Sequence, residues 1–137
     1  MKAEDHIENF NESIETIKES IEKGVQKRQR LIGFSTSAGA MDILEAFLHK
    51  EQLMNPSSMI KHEWFSSERR ANERLNFDFF KKKEIIELII RIESKRNILC
   101  YGKRQPENYV EETVKDFFKL VELIKEAGFN SGEKKNE

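Results

Sequence analysis

Arg96, Asn97 and Tyr101 fall within one short run, Lys95-Arg96-Asn97-Ile98-Leu99-Cys100-Tyr101-Gly102-Lys103-Arg104. Ile98, Leu99 and Cys100 mark it as the end of an apolar helix, where an arginine beside an asparagine needs polar partners. A guanidinium offers a planar fork of donors that fits a phosphate or carboxylate through two parallel bonds. Asn97 and Tyr101 supply neutral hydrogen-bonding groups beside it, and Lys95, Lys103 and Arg104 a cationic rim. The chemistry this pattern offers is the holding of a phosphate, in a nucleotide or an RNA backbone. Asp42 and Glu45 lie three apart on another apolar segment and are the candidate supporting carboxylates. They could work as a paired-carboxylate site, or more simply one of them holds Arg96 in a buried ion pair.

Other chemistries find less support. His62-Glu63 begins like a zinc-protease helix, but position 66 is Ser, so the second histidine is missing. His6, His49 and His62 are scattered and there is one cysteine, which leaves no metal-ligand spacing and no cofactor to expect. Glycine-rich phosphate loops are absent. Cys100 has neither histidine nor acid next to it and reads as a structural thiol. Trp64 and Phe65 read as anchors of a docked crossover rather than as base-stacking platforms.

The charge pattern gives the anion reading modest support. The net charge is −1, yet residues 61–104 carry 12 Lys and Arg against 7 acids while both flanking segments are acidic. A solvated, salt-bridged surface accounts for this, as does a basic face for phosphate or RNA. At 137 residues one domain is expected, spanning 1–128, with 129–137 a polar, disordered tail. A single cysteine suits a reducing, cytoplasmic setting. No apolar run of about 18 residues and no signal-peptide core is evident, so no membrane partner is expected. Abundant Lys, Glu and Ile with four Gln hint at a thermophile.

The elements that must position these residues are helical. Two prolines, six glycines and 36% charged residues favour helix over sheet. Ile7, Phe10, Ile14, Ile17 and Ile21 recur at steps of three and four, predicting a helix over 3–23 that Gly24 ends. A second helix is predicted over 26–54. Its small-residue patch, Gly33, Ser35, Ser37, Ala38, Gly39 and Ala40, implies that another backbone packs very close. Asn55-Pro56-Ser57-Ser58 stops it, and Ser66 or Ser67 caps a short helix near 67–75, with Phe77, Phe79 and Phe80 pinning the next connection to the core. Helices over 80–102 and from Pro106 to Gly128 complete the chain. The expected fold is all-α: an up-and-down bundle of four long helices with a short helix in the 55–80 crossover.

Arg96-Asn97-Ile98-Leu99-Cys100-Tyr101-Gly102, late in an apolar helix and followed by a last amphipathic one, resembles the motif of the HEPN superfamily. Those are small all-helical domains, usually dimeric and often encoded beside a minimal nucleotidyltransferase. In active members the arginine binds the scissile phosphate of RNA, and a histidine four to six residues later does the acid–base chemistry without a metal. The resemblance makes Arg96 the anion anchor and Asn97 the usual asparagine. Tyr101 stands at the histidine's position, and no histidine follows it in the chain. A tyrosine titrates near pH 10, which makes it a poor base at neutrality.

The expectation is therefore binding rather than cleavage: a homodimeric, non-catalytic HEPN-like domain that holds a nucleotide or RNA phosphate at Arg96, partners a nucleotidyltransferase, or does both. One alternative is a metal-independent, toxin-like ribonuclease with a modified site, as in toxin–antitoxin pairs. The other is a purely structural oligomerisation module.

Overall fold

The computed structural model describes residues 1–129; of the tail expected over 129–137, residues 130–137 lie outside the described residues. Helix α1 spans Ala3–Lys23, α2 Gln29–Lys50, a 3-10 turn His62–Ser66, α3 Glu68–Arg74, α4 Lys82–Tyr101 and α5 Glu107–Glu126. The expectation of four long helices is thereby corrected. Among the described residues the molecule is an all-α bundle of five helices and a 3-10 turn, because the crossover winds into helix twice instead of once.

Helix α2 is the central element, touching α1, α4 and α5. Its glycines explain how. A methyl on Gly33 would stand 2.9 Å from both Cys100 Sγ and Leu99 Cβ, and one on Gly39 would stand 2.9 Å from the Phe117 ring. The small-residue patch is thus where α4 and α5 come closest to α2. By length and composition alone α2 is long and apolar enough to cross a membrane, which the reading of the sequence missed; in the fold most of it is buried against the other helices. The helix ends sooner than predicted because Gln52 takes a left-handed conformation (φ 57°) and Leu53 N–H returns to the Leu48 carbonyl at 2.9 Å.

The main core joins Phe10 and Ile17 of α1 to the buried apolar residues within 40–48 of α2, 85–92 of α4 and 117–124 of α5. Ile21, expected in the α1 stripe, is exposed, and so is Phe80, while Phe77 and Phe79 pack on the core. Phe129, assigned to the tail, is buried with its edge against Phe47.

A smaller core of Ile32, Leu99 and Val110 closes the end of the bundle where α2 begins and α4 finishes. There the two turns are tied together. Buried Gln29 donates from Nε2 to the Gln105 carbonyl at 2.7 Å and accepts from Gln105 N–H at 2.9 Å. Arg104 donates to the Gln26 carbonyl at 2.6 Å and to that of Lys27 at 3.1 Å. These bonds hold the last turns of α4, and with them Arg96, in a fixed place.

In the crossover Ser67 caps α3 by accepting from Arg70 N–H at 3.1 Å. Phe65, Ala71 and Leu75 bury this segment, which lies on α4. The 3-10 turn is thus laid over the stretch of α4 that leads to Arg96.

Candidate functional site

Glu93, Arg96 and Asn97 occupy successive turns of one α4 face, as a spacing of three and four dictates. The 3-10 turn delivers His62 to the same face. Together these four residues border a cavity of about 320 Å³ with Phe65 and Ile90 forming an apolar wall.

His62 and Glu93 are paired. The His62 Nδ1 lies 3.0 Å from Glu93 Oε1 and 3.2 Å from the Ser37 hydroxyl, and that hydroxyl donates to Glu93 Oε2 at 2.6 Å. Ser37, on α2, is fully buried, whereas the His62 side chain is 46% exposed. A carboxylate takes a proton donor on Nδ1, so the neutral ring carries its proton there and turns Nε2, with a free lone pair, outward. Ser37 fixes the carboxylate, and the carboxylate fixes the ring.

Arg96 is half-buried, its guanidinium 5.6 Å above the Phe34 ring. Among the described residues no carboxylate lies within ion-pair distance of it. Asp42 and Glu45, the expected supports, lie elsewhere. His6 Nδ1 meets Asp42 Oδ1 at 2.8 Å, and His6 Nε2 faces Glu45 Oε2 at 2.6 Å. The latter is an ion contact out of line for a hydrogen bond, and it leaves Nε2 without a hydrogen-bond partner. His49 Nε2 stands 3.4 Å from the same Glu45 oxygen, and Ile60 N–H donates to the other at 2.7 Å. Burial drives the Asp42 carboxyl above its ordinary range, more strongly than the bond from His6 holds it down.

The rest of the motif is dispersed. Asn97 is exposed at the cavity, and Tyr101 is 66% exposed with its ring edge-on to Phe34. Lys95 turns to α5, where it donates to Glu112 at 2.9 Å and lies over the Tyr109 ring. That bond lowers the exposed Glu112 carboxyl. Arg104 is spent on the turn carbonyls already described, which leaves Lys103 as the exposed lysine of the expected rim. Cys100 is buried, with Sγ 3.7 Å from the Arg30 carbonyl, and burial raises its thiol above the ordinary value. Among the described residues no group of three or more His, Cys, Asp or Glu is placed to hold a metal ion.

Sequence reasoning missed His62, Glu93 and Ser37 as a unit, because they come from three elements 25 and 31 residues apart. The available signal was indirect: a histidine beside the Trp64-Phe65 anchor travels wherever that anchor docks. Against family models, curated proteins and solved structures the chain gives no match.

Proposed function

We propose that this chain is a HEPN-like helical domain whose cavity binds a phosphate of a nucleotide or of RNA, with Arg96 as the anion anchor. The observation that carries the reading is a half-buried guanidinium, with no carboxylate within ion-pair distance among the described residues, bordering an open cavity beside Asn97 and His62. A cation held this way keeps its donors for an anionic ligand, and the Phe34 face keeps it oriented. The structural-module alternative expected Asp42 or Glu45 to satisfy Arg96, and both carboxylates meet His6 instead. Homodimerisation and a nucleotidyltransferase partner belong to the same proposal through the resemblance of residues 96–102. Titration of the protein with inorganic phosphate and with a short oligoribonucleotide at low salt tests it. Arg96→Ala should weaken both by about tenfold or more, and unchanged binding sinks the assignment.

A second reading, metal-independent RNA cleavage, gains from His62. An imidazole with a carboxylate on Nδ1, bordering the same cavity as a phosphate anchor, has the parts of a general base. The ribose 2′-hydroxyl would give its proton to Nε2 and attack the neighbouring phosphorus, and the departing 5′-oxygen would take a proton from solvent. RNA incubated with the protein in EDTA should then be cut, and His62→Ala should stop the cutting. Intact RNA after long incubation leaves binding as the function.

A further inference from the structure

A second, buried cluster on α2 is connected to this cavity by two residues of chain. Glu45 holds the Ile60 N–H, and His62 opens the 3-10 turn just beyond. The cluster also has a proton-counting problem. A neutral imidazole has one N–H, yet His6 presents both ring nitrogens to carboxylate oxygens, at 2.8 and 2.6 Å. Both contacts are attractive only if the group of three carries a further proton, on the ring or on a carboxyl. His6 is 6% exposed and Glu45 2%, so water does not relieve the mismatch.

We propose that His6, Asp42, Glu45 and His49 form a proton-held clasp that regulates the cavity. With the extra proton present, the clasp binds the first turn of α1 to α2 and keeps Glu45 aimed at Ile60, which sets the 3-10 turn and the position of His62. When the proton leaves to solvent, one His6 contact sets a lone pair against a carboxylate. The first turn of α1 then parts from α2, Glu45 swings, and the Ile60 N–H loses its acceptor. This regulation rests on the reading of the cavity as the functional site.

The surrounding charges favour retention of the proton. Asp42 and Glu45 face the ring from α2, and Glu4 and Asp5 of α1 border, with Lys2, the cavity on which His49 opens. Opposing them is His62 of the 3-10 turn, which when protonated pulls the Asp42 carboxyl down. The sign follows from Asp42, whose carboxyl binds its proton more tightly in the fold than in the unfolded chain. Stability from that preference is complete below the ordinary aspartate range and is lost as pH rises through the raised value.

The experiment is amide hydrogen exchange and imidazole NMR on the whole chain from about pH 4 to about pH 9, with inorganic phosphate as the cavity probe. Exchange at Ile60 is expressed relative to the intrinsic rate at each pH. We expect Ile60 protection to fall about tenfold or more in one step above the ordinary aspartate range, with the His62 ring signals moving in the same step. In His6→Asn the step should vanish. Should that variant not fold, Asp42→Asn, which keeps the shape and removes the ionisation, should shift or abolish the step. Flat Ile60 protection in the native protein, or a step that persists unchanged in the variants, overturns the clasp. Failure of phosphate to perturb Arg96 while the Ile60 step stands overturns the cavity reading alone.

Discussion

Two histidine–carboxylate groups flank α2, and they differ in what their polar atoms are left facing. Around His6, two carboxylates, two imidazoles and a backbone N–H turn on one another, and the unpaired atoms, His6 Nε2 and His49 Nδ1, are sealed from solvent. Around His62, the carboxylate is satisfied by Ser37 and Nδ1 while the ring borders a cavity beside an arginine with no carboxylate in ion-pair distance among the described residues. The first arrangement directs its interaction energy inward, to joining α1, α2 and the crossover. The second directs it outward, to whatever enters. The presence of histidine and glutamate together does not mark a site; the accessible nitrogen and the neighbouring unpaired cation do.

The harshest way to test that contrast is to remove a carboxylate from the sealed group. Glu45→Ala leaves a buried imidazole and the Ile60 N–H without their acceptor, and should cost about 3 to 5 kcal/mol of stability. Urea denaturation reads this directly. A loss below about 1 kcal/mol would mean the group is looser than its distances imply. Next comes Arg96→Ala, which takes the anchor from the open group. Phosphate affinity should fall by about 1.5 to 3 kcal/mol, while the urea midpoint changes by the equivalent of roughly 0.5 kcal/mol or less. If stability falls instead of affinity, Arg96 is a structural residue and the two groups are alike.

How much of this could be read from the residues differs between the two groups. The helices were legible because each carries its apolar stripe locally, as Ile7, Phe10, Ile14 and Ile17 do on α1, and so was the close approach at Gly33 and Gly39. Arg96 and Asn97 were legible as a polar pair at the end of an apolar helix. Their surroundings were not, since which carboxylate meets which base is decided by how helices rotate against one another, and nothing local encodes that rotation. Asp42 and Glu45 were therefore matched with the arginine in view, whereas the fold gives them to His6, 36 residues away from Asp42. The crossover was misjudged for the opposite reason. Its anchors at Trp64 and Phe65 were visible, but the residue that they deliver, His62, has no pattern of its own.

A smaller effect probes the support beneath the open group. In Gly33→Ala the added methyl meets Cys100 Sγ and Leu99 Cβ at 2.9 Å, beneath the turn of α4 that carries Arg96. Overpacking of that kind costs about 1 to 3 kcal/mol, and the strain should displace the end of α4. Phosphate affinity should drop with stability, whereas amide protection at Ile60, held by Glu45 about three turns along α2 from Gly33, should hold. Equal disturbance at Ile60 would show that the two groups move as one unit.

The smallest expected effect separates two candidates for moving a proton. Tyr101 has the place in the chain that resembles the family's histidine, but it is 66% exposed and its ring makes a T-shaped contact with Phe34. Tyr101→Phe keeps that contact and removes only the hydroxyl, so stability should change by less than roughly 0.5 kcal/mol. His62 is held through Nδ1 by Glu93 and Ser37 and borders the same cavity as Arg96. If the protein cleaves RNA, His62→Ala should abolish cleavage in EDTA, while Tyr101→Phe should leave the rate within about threefold, the size of one weak neutral hydrogen bond. The reverse outcome would assign proton transfer to the motif position in the chain rather than to the group that the fold assembles, and the open histidine–carboxylate pair would then be a positioning element for the crossover.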